Sequence, residues 1–237
     1  MTQDNLSARA GAERRTLSAR MGEVDFDKAP FTVVWEVTRA CALACKHCRA
    51  EAQPRRHPEE LDHDEGMALL DQIKEFGNPI MVFTGGDPMM RRDLFDLLKK
   101  SVDIGLRTSL TPTATALVTR ERLERVRDVG ISRIALSLDG PDAETHDHMR
   151  GFKGTFDRTM DILHTAQDVG LSVQVNTSVT RHTAPKLQEL VPMLTDIGIV
   201  QWSVFFLVPT GRGQLDDMIS AQQHEDLFNW LWELSKE

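Results

Sequence analysis

Along most of the chain, short runs dense in Val, Ile, Leu and Phe alternate with longer stretches whose apolar residues recur every three or four positions. The short runs predict strands at Thr32–Val37, Ile80–Phe83, Leu106–Leu110, Arg133–Leu138, Ser172–Thr177 and Trp202–Val208, each bounded by Gly, Pro or polar residues. The longer stretches predict helices. Asp64–Phe76 carries Met67, Leu70, Ile73 and Phe76 at helical spacing, and Asp93–Val102 carries Leu94, Leu97 and Leu98. Thr119–Val129 opens on a capping threonine, and Phe156–Val169, Pro185–Ile197 and Ala221–Leu234 complete the set. Glycines at 77, 105, 130, 170 and 198 stand where these helices end, shortly before a strand.

Six strand-then-helix units in a row imply parallel strands joined by right-handed crossovers, an α/β fold. Two architectures satisfy that order: a doubly wound open sheet and an incomplete α/β barrel. Both place function at the carboxyl ends of the strands. Residues 1–28 read as a polar, exposed leader. No linker or low-complexity run interrupts residues 29–237, which are expected to form one domain.

Composition narrows the function classes. At 237 residues, 41% hydrophobic and 27% charged, the chain has the make-up of a globular domain with a substantial core. Its longest apolar stretch, Val204–Val208, is strand-sized, far short of a membrane span, and the polar segment Met1–Arg20 lacks a signal-peptide core. A cytoplasmic location and no membrane association are the expectation. The net charge of −8 argues against nucleic acid as the main partner. The basic pairs Arg55-Arg56 and Arg91-Arg92 read as solvated loops or helix ends.

The chain has three cysteines, Cys41, Cys45 and Cys48, all directly after the first predicted strand. An odd, tightly clustered set is a poor disulfide framework and a good metal-ligand set in a reducing compartment. Three thiolates in one loop can hold three corners of a cubane iron–sulfur cluster, leaving the fourth iron open to a small molecule. A zinc site completed by His47 or His57 is the alternative, although zinc usually draws paired cysteines from two segments. Two further motifs sit at strand ends. Gly85-Gly86-Asp87-Pro88 is good turn chemistry; equally, its glycines let backbone approach a ligand and its carboxylate suits an ammonium group. Ser137 and Asp139, two apart on an extended segment, point to one side and could bind a ribose; Asp139-Gly140-Pro141 also reads as a plain turn.

Taken together, Cys41-x3-Cys45-x2-Cys48, Gly85-Gly86-Asp87-Pro88 and Ser137-Leu138-Asp139-Gly140-Pro141 resemble the radical S-adenosylmethionine (SAM) superfamily over about residues 31–213. The resemblance implies a partial (β/α)6 barrel, a 4Fe-4S cluster on Cys41, Cys45 and Cys48, and SAM as the cofactor cleaved. It assigns Gly85, Gly86 and Asp87 to the SAM amino group, Arg150 to its carboxylate, and Ser137, Asn176 and, for SAM or substrate, Asp139 to the remaining contacts. Asp87 stands where the family more often has Glu, and Thr111-Pro112-Thr113 departs from the family's Thr-Asn-Gly. His146, His148, His164 and His182 are read as surface or supporting positions, with no partner visible for them.

The phrases Trp35–Cys41, Cys48–Ala52 and Leu207–Gly213 are similar to the branch that holds SAM-dependent heme synthases, with enzymes that modify ribosomally made peptides as relatives. That implies a tetrapyrrole or peptide substrate, oxidative decarboxylation of porphyrin propionates in the first case, and a reductase, ferredoxin or flavodoxin as electron donor. Such relatives carry a cysteine-rich extension for auxiliary clusters. This chain has no cysteine after Cys48, so that extension is expected to be absent and full turnover to need residues or a partner beyond it. A non-catalytic zinc or cluster-binding module is the reading from another class.

Overall fold

The computed structural model describes residues 24–131 and 133–236; residues 1–23 of the expected leader lie outside the described residues. Six strands form one sheet: β1 (Thr32–Glu36), β2 (Ile80–Thr84), β3 (Arg107–Leu110), β4 (Arg133–Ser137), β5 (Ser172–Val179) and β6 (Gln201–Phe206). Every neighbouring pair is parallel and spatial order follows chain order, β1 to β6. A doubly wound sheet reverses its strand order at a switch point, and this sheet does not. It curls in one sense into a half-barrel whose open edges are β1 and β6, which decides between the two expected architectures.

Alternation along the strands sorts side chains into a fully buried outer face and a mixed, partly exposed inner one. Met81 and Phe83 of β2, Ile134 and Leu136 of β4, and Val173 and Val175 of β5 join the buried core. Their sequence neighbours Ile80, Val82, Ala135, Gln174 and Asn176 line the barrel interior instead. The outer face is covered by α1 (His63–Phe76), α2 (Leu94–Asp103), α3 (Arg120–Val129), α5 (Thr155–Asp168) and α6 (Leu190–Ile197), with a short α4 (Ala143–Arg150) before α5 and α7 (Ala221–Leu234) last. Leu70, Leu97, Leu98, Leu123, Val126, Leu163 and Leu190 bring the helical stripes into the same core. Burying each such leucine contributes about 1.5–3 kcal/mol.

Local signals start the helices. Asp62 and Glu65 form a reciprocal capping box at α1, and Ser220 and Gln223 form another at α7. Thr119 and Asp142 accept backbone N–H groups at the starts of α3 and α4.

The structure corrects the sequence reading in three places. The expected helix from Pro185 is a 3-10 turn over Ala184–Glu189, and α6 begins only at Leu190. Pro192 has no N–H to give to the preceding turn, so a continuous α-helix through it would lack a hydrogen bond. The segment Ala143–Arg150 is helical although its composition is polar; its buried face is Thr145, His146 and Met149. Arg91 is not solvated: it is 4% exposed, pairs with Asp93 at 2.9 Å, and donates to Val37 O and Asp62 O, tying β1 to the start of α1.

Candidate active site

The cysteine loop is pinched shut at its base before any ligand is considered. Past β1, Cys41 N–H donates to Gln53 O at 2.8 Å and Gln53 N–H to Arg39 O at 2.9 Å, a parallel bridge that closes residues 41–52 into a ring. Glu60 clamps the entry: its carboxylate accepts from Arg39 N, His57 N, the Thr38 hydroxyl and Arg56. Burial alone would raise the Glu60 pKa; those donors outweigh it and hold the group below the usual carboxylate range.

Within the ring, backbone N–H groups point at sulfur. Leu43 N lies 3.3 Å from Cys41 Sγ and Ala52 N 3.4 Å from Cys48 Sγ, the arrangement a thiolate needs. Cys41 and Cys45 are buried and Cys48 half-buried, all three unpaired. Burial, with Cys45 and Asp87 nearby, pushes the Cys41 thiol up, so a bound cation is what would make it a thiolate.

Glycine fits the end of β2 beneath this ring. A Cβ at Gly85 would lie 2.4 Å from Thr38 O, and one at Gly86 2.5 Å from Ala40 O. Without side chains, Gly86 N donates to Thr38 O and Asp87 N to Ala40 O, both at 2.7 Å. The pair therefore docks first against the cysteine loop, while both residues also face the cavity.

Cys41, Cys45, Cys48, Gly85, Gly86, Ser137, Arg150 and Asn176 line one cavity of about 370 Å³ at the carboxyl ends of the strands. Ser137 and Asn176 are register partners on β4 and β5, and Asn176 Oδ1 accepts from Gln174 at 2.9 Å, which leaves its amide N–H groups to donate. Asp87 and Asp139 are placed differently: neither lines this cavity. The Asp87 carboxyl is fully buried, accepting from Met89 N at 3.0 Å and the Thr115 hydroxyl at 2.7 Å, and burial raises its pKa despite them.

β4 ends at Ser137, so strand alternation does not carry on to Asp139. One Asp139 oxygen accepts from Ser178 N at 2.9 Å, and the other meets Arg150 Nη2 at 2.7 Å. Burial works to raise the Asp139 pKa, but Arg150 first, then His47 and His146, hold it below the usual range. Arg150 in turn extends Nη1 to 3.8 Å from Cys45 Sγ.

The four histidines stand at surface or supporting positions as expected, but partners do appear for His146, His148 and His182. His146 is 1% exposed and accepts the Asp139 backbone N–H on Nδ1 at 3.0 Å. Burial, with Arg150 adding, lowers its pKa to about 4. His148 and His182 meet at a tilt, ring centres 5.0 Å apart, beside Lys46 on the surface, and His164 is exposed. Two cavity residues lie in segments quoted above without a role of their own: Thr113, whose hydroxyl donates to Gly86 O at 2.6 Å, and Arg212 on the cavity wall. The flanking glycines of Gly211-Arg212-Gly213 are the available sequence signal for Arg212.

The donor set suits a cluster better than a single ion. All three cysteines of the chain come from one loop and line a single cavity, as three corners of a cubane require, whereas zinc usually draws paired cysteines from two segments.

Comparisons with known proteins agree. The model of the Radical SAM superfamily matches residues 35–199. An AdoMet-dependent heme synthase of Nitratidesulfovibrio vulgaris is 44% identical over 206 residues, 86% of this chain and 56% of that protein. A PqqA peptide cyclase of Bradyrhizobium diazoefficiens is 30% identical, covering 71% of this chain and 44% of its own. The chain thus spans about half the length of these relatives. In fold, Streptococcus suis SuiB bound to S-adenosylmethionine superposes with a TM-score of 0.73 at 19% identity, over 94% of this chain and 52% of its own. With three thiols at the mouth of a six-strand half-barrel and a family match across most of the chain, this protein belongs to the radical SAM superfamily of enzymes, which use a 4Fe-4S cluster and SAM.

Proposed function

We propose that this chain forms the radical-generating core, residues 29–237, of an enzyme that oxidatively decarboxylates porphyrin propionates. The observation that carries the reading is that the three cysteines share one cavity with Gly85, Gly86, Ser137, Arg150 and Asn176. Cys41, Cys45 and Cys48 would hold the cluster, and SAM would occupy the cavity beside it. When bound, the cluster would supply the electron for reductive cleavage of SAM, the source of a hydrogen-abstracting radical.

The rest falls to the chain. Gly85 and Gly86 bring bare backbone to the SAM amino end; Asp87 acts through that backbone, since its own carboxyl is spent on Met89 and Thr115. Ser137 and Asn176 offer a hydroxyl and amide N–H groups to a ribose from adjacent strand ends. Asp139 fixes the Arg150 guanidinium on the cavity wall. Thr113 holds Gly86 O and so keeps the β2 end in place.

A tetrapyrrole is supported by the heme synthase relative and by the barrel interior. That interior holds a cavity of about 660 Å³, which shares Thr84, Thr111, Asn176 and Phe205 with the cysteine cavity. Val34 and Phe205, more than half exposed on the two edge strands, give it an apolar rim, and Arg107, Arg133 and Gln174 line it within. A flat apolar macrocycle bearing carboxylates suits such a lining. A reductase, ferredoxin or flavodoxin supplies electrons, in the reducing cytoplasm that free thiols favour. Among the described residues no helix is long and apolar enough to cross a membrane.

The test is anaerobic reconstitution with iron and sulfide, reduction, addition of SAM, and chromatography of 5′-deoxyadenosine, with Cys45→Ala alongside. Cysteine-dependent 5′-deoxyadenosine that rises with an iron porphyrin bearing propionates, and not with a precursor peptide, is the expected result. A colourless zinc protein that leaves SAM intact would refute the reading, and stimulation by the peptide alone would move the substrate to the peptide class.

A further inference from the structure

The wall of the cysteine cavity holds a cation with no counter-charge. The acidic residue in its lining, Glu36, pairs with Arg49, and Arg150 pairs with Asp139 through Nη2 while its own buried Nε has no partner. Arg212 has no carboxylate partner among the described residues. Its backbone N–H donates to Cys48 O at 3.1 Å and its Nη1 to Ala52 O at 3.4 Å, while Nε and Nη2 are buried and without a partner. Those two nitrogens lie along one edge of the guanidinium, the edge that grips a carboxylate through two parallel hydrogen bonds. A buried donor left unmade is costly and uncommon in a native fold, so an orphaned edge on a ligand cavity points to the missing acceptor.

The residue is also held in place. Gly211, at φ +58°, lets its loop lie flush on the cysteine loop; a Cβ there would meet Cys48 O at 2.5 Å and Arg49 O at 2.6 Å. Arg212 is thereby clipped to the cysteine loop at Cys48 and Ala52 at once. His47 Nδ1, on the same wall, is likewise buried with no partner.

We propose that Arg212 seats a carboxylate bound in this cavity, gripped through Nε and Nη2. The inference rests on the radical SAM reading, under which two bound molecules carry that group: SAM, through its methionine carboxylate, and the porphyrin, through a propionate. Arg212 differs from Arg150, on the same wall, in having no carboxylate of the chain against it.

The test uses the full reconstituted chain without reductant, as wild type, Arg212→Gln and Arg212→Lys, with iron content and visible spectrum checked for each. Affinities are measured for SAM, for decarboxylated SAM, for an iron coproporphyrin and for its methyl ester. Both variants are expected to weaken a carboxylate-bearing ligand roughly 10- to 100-fold, and its carboxylate-free counterpart much less. A loss confined to SAM assigns the methionine carboxylate; one confined to the porphyrin assigns a propionate. Equal affinities in all three proteins at equal iron content overturn the proposal, as does failure of both variants to hold iron, which would make Arg212 a structural clip. A wild-type chain that binds no SAM would sink the radical SAM reading itself, and the porphyrin arm would still decide Arg212.

Discussion

Asp139 and His146 show how far a buried polar residue depends on its neighbours. His146 is neutral in the fold because burial, with Arg150 behind it, depresses its pKa to about 4 from an ordinary value of 6.5. A depressed histidine binds its proton more readily once unfolded, so stability is full above about pH 6.5 and lost as pH falls toward 4. The loss is on the order of 3 kcal/mol by pH 4, from about 1.4 kcal/mol per unit. Denaturant midpoints between pH 7 and 4.5 should fall more steeply for the wild type than for His146→Gln, whose amide oxygen can still accept the Asp139 N–H. Parallel slopes would contradict the assignment.

Gly86 makes a second prediction at this scale. In Gly86→Ala the new methyl meets the Ala40 and Arg39 carbonyl oxygens at 2.5 and 2.7 Å, backbone that cannot swing aside. The variant should lose about 1–3 kcal/mol and hold less iron after reconstitution, read by thermal melting and iron assay.

At the scale of elements, the cysteine loop is held by Glu60 as well as by its own Ala40–Gln53 bridge. Replacing Glu60 by Ala leaves the Arg39 and His57 N–H groups and the Thr38 hydroxyl without their acceptor. A cost of about 1–3 kcal/mol is expected, with faster amide exchange at Arg39 and His57 and faster loss of iron to chelators. Unchanged exchange there would show that the Ala40–Gln53 bridge suffices alone.

The elements themselves were largely legible because strand alternation and helical stripes write the same core twice, Phe83 from a strand and Leu97 and Leu98 from a helix all lying in it. Where the buried face is polar, as in Ala143–Arg150, periodicity carries no signal and the helix goes unseen. Pro192 was visible in sequence, yet its effect, a 3-10 turn before α6, comes from a missing hydrogen bond rather than from any hydrophobic pattern.

For the whole molecule, the core and the cysteine loop are separate bodies of packing. Cys41, Leu43 and Cys45 form a small buried cluster of their own, distinct from the main core of sheet and outer helices. Removing iron by chelation should therefore leave the far-ultraviolet circular dichroism unchanged and shift the barrel's melting by only a few degrees, while 5′-deoxyadenosine formation is lost. Collapse of the barrel on chelation would mean that the cluster stabilises the entire fold.

What the sequence determined is whatever depends on neighbours along the chain: the six strand-then-helix units, the helix ends, and three cysteines spaced for one loop. It also located the residues that reach the cavity through backbone or short side chains at strand ends, Gly85, Gly86, Ser137 and Asn176. Tertiary structure alone decided where the long polar side chains spend their hydrogen bonds. Asp87 turns inward to Met89 and Thr115, Asp139 takes Arg150, and Arg212 is left with an open edge. The reason is physical: a buried charge takes its role from the partner that folding sets opposite it, Thr115 for Asp87 and Arg150 for Asp139, and no spacing along the chain announces that partner.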